Sequence, residues 1–195
     1  YVHEVYDYLH TIPELGFEEY KTSAFILSEL KKCGFRDEDI VSGIAGTGIL
    51  VTIDSGKPGP VLALRADIDA LEFIINGERK IIHACGHDGH TAILLATAKI
   101  LKKHESELDR RVYLVFQPAE ETAEGARFML KTGVLDSVKR IYGVHIFNGI
   151  PSGKISLEAG PRMAATNWLA VHLYGRSGHA GKPHEGIDTA VAVSS

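Results

Sequence analysis

Several features that would assign a protein to a specialised setting are missing from this chain. No apolar run approaches the roughly 20 residues needed to cross a bilayer, so a membrane-spanning role is not expected. Positive charge is not in excess: 21 Lys and Arg stand against 25 Asp and Glu, a net charge of −4. The basic residues are dispersed, and neither an arginine-rich stretch nor an aromatic stacking motif offers a nucleic-acid backbone a footing, so nucleic acid is not an expected partner. Cysteine is scarce, with two among 195 residues and far apart, which excludes a disulfide framework and points to a reducing, cytoplasmic setting. No signal peptide is recognisable, although the chain starts at Tyr1 without an initiator methionine, which leaves an upstream segment open. Internal repeats and low-complexity segments are also absent.

What remains is an ordinary globular composition, 45% apolar and 24% charged, in a chain long enough for one sizeable domain and part of a second. Lys21–Cys33 places Ile26, Leu27, Leu30 and Cys33 on one helical face, with Gly34 as its stop. Strands are expected at Gly48–Ile53 and Val61–Ala66, separated by the turn-rich stretch 54–60, and the continuous apolar run Val61–Leu64 reads as a strand buried on both faces. A helix over 91–103, a strand Arg111–Phe116, a helix Ala123–Lys131 and a strand Ile141–Ile146 follow. This alternation predicts an α/β fold with a mostly parallel central sheet and flanking helices. Beyond Pro161, Trp168–Tyr174 reads as a strand, Gly175–Pro183 as a glycine-rich loop and Gly186–Ser195 as the start of a helix. The chain stops inside that apolar run, so it is expected to be truncated.

The chemistry gathers at strand ends, where open α/β sheets place their sites. Residues 83–90, His-Ala-Cys-Gly-His-Asp-Gly-His, put Cys85 and His87 where a loop runs into a helix. Gln117-Pro118-Ala119-Glu120-Glu121 follows one strand and His145 another. Cys, His and Glu are the donors expected for zinc or a similar borderline divalent ion, and a spare carboxylate beside a ligand is what a hydrolytic site needs as a base. Asp67 and Asp69, at the end of the strand 61–66, point the same way. A cysteine near a helix N-terminus is alternatively a nucleophile of lowered pKa, but a metal explains more of the surrounding residues. His179, in Gly178-His179-Ala180, is a candidate substrate contact. His3, His10, His83, His90, His104, His172 and His184 are read as structural or surface residues. Two rival motifs fail on context. The glycines of 43–48 precede a strand without opening a helix, and 175–178 lacks the spacing of a nucleophile elbow.

Five segments occur in a telling order: Leu9–Gly16, Leu64–Leu71, His83–His90, Phe116–Glu121 and Gly178–His184. Together they resemble the aminoacylase and carboxypeptidase family of two-metal peptidases, in particular its amidohydrolase branch of N-acyl-amino-acid amidohydrolases, hippurate hydrolases and auxin-conjugate hydrolases. The resemblance implies a zinc-exopeptidase-like catalytic domain, here its segment 1–163, followed at 164–195 by the beginning of a smaller α+β lid and dimerisation domain. It implies two divalent ions per intact subunit, zinc or manganese first, with nickel or cobalt compatible. Cys85 would bridge them, His87 and His145 would complete the first ion's ligands, and Glu121 would bind the second. Glu120 would be the general acid/base, and Asp69 would orient ligands from behind. His179 would polarise the substrate carbonyl, reaching across a homodimer. The family's remaining ligand, a histidine near the C-terminus of the full-length protein, lies past the end of this chain. Glu72 stands where the family usually has proline, and Thr122-Ala123-Glu124 replaces a more glycine-rich turn.

The expected activity is therefore hydrolysis of the amide bond of small N-acyl amino acids by a metal-activated water. The alternatives are a dipeptidase or aminopeptidase of another branch, or a non-catalytic metal-stabilised module.

Overall fold

The computed structural model describes residues 1–165 and 169–194. The chain divides into two compact units, Tyr1–Gly149 and Ile150–Ser195.

The first unit is built on a five-stranded sheet. Its strands are β1 (Ile40–Ile44), β2 (Gly48–Ile53), β3 (Val61–Asp67), β6 (Val112–Gln117) and β7 (Val138–Gly143), in the order β1-β2-β6-β3-β7. β6, β3 and β7 pair in parallel, whereas β2 is antiparallel to both β1 and β6. Four strands thus share one direction and β2 alone is reversed, which is the mostly parallel α/β sheet expected. Between β3 and β6 come a separate hairpin, β4 (Leu71–Ile75) with β5 (Glu78–Ile82), and the helix α3 (His87–Lys103). Asn76 and Gly77 turn the hairpin with φ of 53° and 80°, the mirror-image turn that Asn-Gly favours.

Side-chain alternation sorts the sheet into two faces. Ile49, Val51 and Ile53 of β2 and Val112, Leu114 and Phe116 of β6 join the larger core. That core also takes Val5 and Leu9 of α1 (Val2–His10), Ile26 and Leu30 of α2 (Tyr20–Lys32), and Leu95 and Ala98 of α3. The intervening Leu50, Ala63 and Val115 meet Met129 of α4 (Gly125–Lys131) on the other face. The period of two is the reason both faces are apolar, and each fully buried Leu, Ile or Phe contributes about 1.5–3 kcal/mol. Helices on both faces leave the C-terminal edge of the parallel strands as the open end.

α1, β1 and the β4–β5 hairpin arise where the sequence marks no element, and three expected elements differ most from the structure. α3 begins at His87 rather than 91, because Gly86 adopts φ 85° and starts the helix behind a polar turn that carries no apolar period. β7 ends at Gly143, so His145 sits two residues beyond it, and the apolar 141–146 run is exposed at a sheet edge. Leu169–Tyr174 forms no strand: the segment has no ladder partner among the described residues, and Leu169, Val171 and Tyr174 are exposed. Trp168 of that expected strand, and Ser195 of the expected terminal helix, lie outside the described residues.

The second unit contains a bridge between Arg176 and Ile187 and the short helix α5 (Thr189–Ser194). Among the described residues, no helix is long and apolar enough to cross a membrane.

Candidate metal centre

β3 and β6 end side by side, with Asp67 in register with Gln117. The loops after β3, β6 and β7 carry Asp69, Glu120 with Glu121, and His145. The first turn of α3 brings His87 between them. Glycine allows this approach: a Cβ on Gly89 would stand 2.6 Å from Ile146 Cδ1, so the loop bearing His145 packs directly on the helix.

His87 is 1% exposed. Its Nδ1 lies 3.0 Å from the Asp69 carbonyl and 3.1 Å from Asp69 Oδ1. A carbonyl only accepts, so Nδ1 carries a proton, and in the neutral ring Nε2 keeps its lone pair. That Nε2 is buried and has no hydrogen-bond partner among the described residues. It faces Asp67 Oδ2 at 3.6 Å, Glu121 Oε1 at 3.7 Å and Glu120 Oε2 at 3.8 Å. His145 is oriented by the same logic. Its Nδ1 donates to the Ile146 carbonyl at 2.7 Å, and its Nε2 lies 3.4 Å from Cys85 Sγ.

These distances are too long for hydrogen bonds of His87 Nε2, yet they suit an ion between donors. Two ligands held at zinc bond lengths in a tetrahedron sit about 3.4–3.6 Å apart. The donor atoms of Cys85, His87 and His145 lie within 4.8 Å of one another, as do those of His87, Glu120 and Glu121. A third group of the same kind, Asp67, His87 and His90, is a poor ion site. His90 Nε2 accepts the Ile146 amide at 2.9 Å, so its Nδ1 must be the proton donor to Asp67 Oδ1 at 2.6 Å, and no lone pair is free.

Charge points the same way. Burial first, then the carboxylates of Glu121, Glu120 and Asp67, pushes the Cys85 thiol up to about 12. This argues against the activated-nucleophile reading of Cys85: in the metal-free protein the acidic surroundings outweigh the start of α3. Burial also raises Glu121, with Glu120 adding to it and His87 opposing. Burial works against protonated His87, but the Asp69 hydrogen bond and the charges of Asp67, Asp69 and Glu121 prevail and raise it. Asp67 is the exception. Burial opposes its ionisation, but the His90 hydrogen bond and the charges of Arg65, His87 and His90 hold it at about 2. Arg65 bonds Asp67 Oδ2 at 2.7 Å and Gln117 Oε1 at 2.9 Å, tying the two strand ends together. A pocket crowded with acids and short of cations is what a divalent ion would relieve.

The supporting residues are buried polar groups. Asp69, 1% exposed, accepts the Glu121 amide on Oδ2 at 3.0 Å while its Oδ1 faces His87. Glu19 accepts the Ala119 amide at 2.8 Å, and Ala119 adopts φ 49°, a left-handed conformation costing a non-glycine residue about 1–2 kcal/mol. Of these supports only Asp69 stands out in the sequence motifs; His90, expected to be structural, bonds Asp67 and the Ile146 amide and reaches the site through them. A cavity of about 380 Å³ opens against Cys85 and His145, lined also by Tyr6, His83, Ile146 and Phe147. His179 lies in the second unit, exposed, with Nδ1 accepting the Gly181 amide at 3.1 Å.

The profile of peptidase family M20/M25/M40 matches residues 63–193, about two thirds of the chain. The chain belongs to this family. Among its relatives, an Arabidopsis thaliana protein named IAA-amino acid hydrolase ILR1-like 4 is 41% identical over 193 residues, covering 95% of this M20 chain and 43% of that protein. N-acetyl-L-cysteine deacetylase of Bacillus subtilis is 39% identical over 96% of the chain and 46% of its own length. The M20 chain thus spans less than half of these curated relatives. A putative aminohydrolase from methicillin-resistant Staphylococcus aureus superposes with a TM-score of 0.81 at 34% identity, over 99% of this chain and 53% of that one. Bacillus subtilis YXEP, described as a dinuclear metal-binding peptidase of the M20 family, gives 0.69 at 37% identity over 77% and 43%.

Proposed function

We propose that this chain carries the metal-binding part of a metal-dependent amidohydrolase that cleaves the bond between an acyl group and an amino acid. The observation that supports this most is the buried, unpartnered Nε2 of His87, aimed at Glu120 and Glu121 with the Cys85–His145 pair beside it. The relatives named IAA-amino acid hydrolase and N-acetyl-L-cysteine deacetylase support the substrate class, and the YXEP protein, described as dinuclear metal-binding, supports a pair of metal ions. The mixed Cys, His and Glu donors suit divalent zinc or manganese.

When bound, such ions would acidify a water and polarise the scissile carbonyl. Cys85, His87, His145 and Glu121 would hold them. Glu120, whose side chain is more exposed than that of Glu121, takes the proton of the attacking water and returns it to the leaving amine. Asp69 keeps His87 in the Nδ1–H form and fixes Glu121 through its amide. The cavity beside Cys85 and His145 gives the substrate room on that side. The division into a metal-binding segment, 1–163, and the beginning of a lid and dimerisation domain, 164–195, belongs to the same proposal. So does His179 as the group that polarises the substrate carbonyl across a homodimer.

A second reading has one observation in its favour. Thermostable carboxypeptidase 1 of Saccharolobus solfataricus is 38% identical over 92% of the chain, so a peptide substrate is the competing class. The deciding experiment uses the full-length protein, with bound metal quantified and N-acyl amino acids assayed beside dipeptides. Glu120→Gln is expected to lower kcat about 10²–10⁴-fold with metal content unchanged. Full activity in that variant, or in metal-stripped protein, would refute the mechanism. Faster turnover of dipeptides would transfer the assignment to the peptidase reading.

A further inference from the structure

Glu19 is a carboxylate with no exposure, immediately before α2. Both its oxygens are engaged: Oε1 accepts the Ala119 amide at 2.8 Å and Oε2 the Thr47 hydroxyl at 2.5 Å. Neither partner carries positive charge, so ion pairing with them does not explain why an acid is buried here. A buried acid is costly unless its hydrogen bonds secure something the rest of the fold does not. What it secures is a backbone in an unfavourable state. Ala119 is left-handed at φ 49°, and its carbonyl accepts the Gly125 amide and the Thr122 hydroxyl, both at 3.1 Å. The next residue is Glu120, and the Glu121 amide is held by Asp69. Glu120 therefore lies between two peptide groups, each fixed by a buried carboxylate from elsewhere in the chain.

We infer that Glu19 is a positioning residue for the Glu120–Glu121 pair, holding Ala119 left-handed so that both carboxylates face His87. The inference rests on the proposed function for its kinetic readout, and a metal-binding readout keeps the two separable. Thr47, 2% exposed and immediately before β2, completes the clamp by occupying the second oxygen. Gly16 leaves the space the clamp needs, since a Cβ there would stand 3.0 Å from both Ala119 Cα and Cβ.

The test uses full-length protein and Co²⁺ as a spectroscopic probe. Glu19→Met keeps the volume and removes both acceptors. It is expected to lower Co²⁺ affinity about 10–100-fold, the usual effect of losing a residue behind a metal ligand, and to lower kcat by a similar factor with KM little changed. Adding Ala119→Gly to that variant should restore part of the affinity, because glycine enters the left-handed region without a side-chain penalty. A merely structural role for Glu19 would not respond to a change at Ala119. Glu19→Gln retains an acceptor for the Ala119 amide and should bind Co²⁺ within about threefold of wild type, with that amide still protected from hydrogen exchange. Should Glu19→Met not fold, Glu19→Gln decides: lost affinity with a protected Ala119 amide overturns the inference. It is equally overturned if Glu19→Met binds Co²⁺ as wild type does, or if Ala119→Gly restores nothing. A wild-type protein that binds no Co²⁺ removes the proposed function and this inference together; binding without hydrolysis removes the activity alone.

Discussion

His90 donates from Nδ1 to Asp67 across 2.6 Å and accepts the Ile146 amide on Nε2, so one buried ring joins the end of β3 to the loop that carries His145. The Ile146 peptide is held on both sides, because its carbonyl accepts the Nδ1 proton of His145. His90→Ala should therefore act on His145 without touching any donor. The expected outcome is a loss of about 10–100-fold in Zn²⁺ affinity, measured by chelator competition, with far-UV circular dichroism unchanged. Wild-type affinity in that variant would mean that His145 is held by other contacts.

Asp67 gives a prediction on the acid side. Free aspartate titrates near 3.8 and Asp67 is held at about 2, so folding favours its ionised form. A depressed folded pKa contributes stability that is fully present above 3.8 and disappears as the pH falls towards 2. In metal-free protein the contribution is at most about 2 kcal/mol, and smaller where the histidines beside Asp67 are neutral. Asp67→Asn should be less stable than wild type by up to that amount above pH 4, and denaturant curves of the two should converge between pH 4 and pH 2. A gap that stays constant over that range would remove the electrostatic account.

Cys85 gives a prediction that needs no substrate. With its thiol pushed up to about 12, the metal-free protein holds it protonated at neutral pH, and ligation must expel that proton. Zn²⁺ titrated into weakly buffered apoprotein at pH 8 should release protons as thiolate absorbance near 240 nm grows. Cys85→Ser should release about one proton fewer per chain. Equal release by the two proteins would exclude Cys85 as a thiolate ligand.

The sequence reveals most where spacing repeats locally. Lys21–Cys33 and the strands 48–53 and 61–66 follow from periods of 3.6 and 2, and the structure places them within one residue of expectation. Exposure hides the rest. The hairpin Leu71–Ile82 leaves Phe73 and Ile74 in solvent, so no apolar alternation marks it, and the edge strand β7 exposes Ile141 and Tyr142, so the apolar run there does not fix its bounds. At the centre, donor types are readable because Cys85, His87, Glu120 and Glu121 sit in dense motifs. The supports are not: Glu19 meets Ala119 across 100 residues, and His90 meets Ile146 across 56, contacts that only the fold creates.

Asp69 supplies the last prediction. Its Oδ1 faces the His87 Nδ1 proton and its Oδ2 takes the Glu121 amide, two acceptor duties on one carboxylate. Asp69→Asn preserves the shape and offers a single acceptor, so one donor must meet an NH₂ group. If the amide oxygen serves Glu121, the NH₂ group faces the His87 Nδ1 proton, and that repulsion opposes the Asp69 carbonyl and favours the tautomer with the proton on Nε2, which blocks the lone pair aimed at the metal. If it serves His87, Glu121 loses its anchor. Asparagine should therefore cost nearly as much as alanine, with each lowering Zn²⁺ affinity about 10–100-fold. The ¹⁵N shifts of His87 in metal-free protein separate the two routes, because they report which ring nitrogen is protonated. An Asn variant with wild-type affinity and an unchanged His87 tautomer would show that the Asp69 backbone carbonyl alone orients the ring.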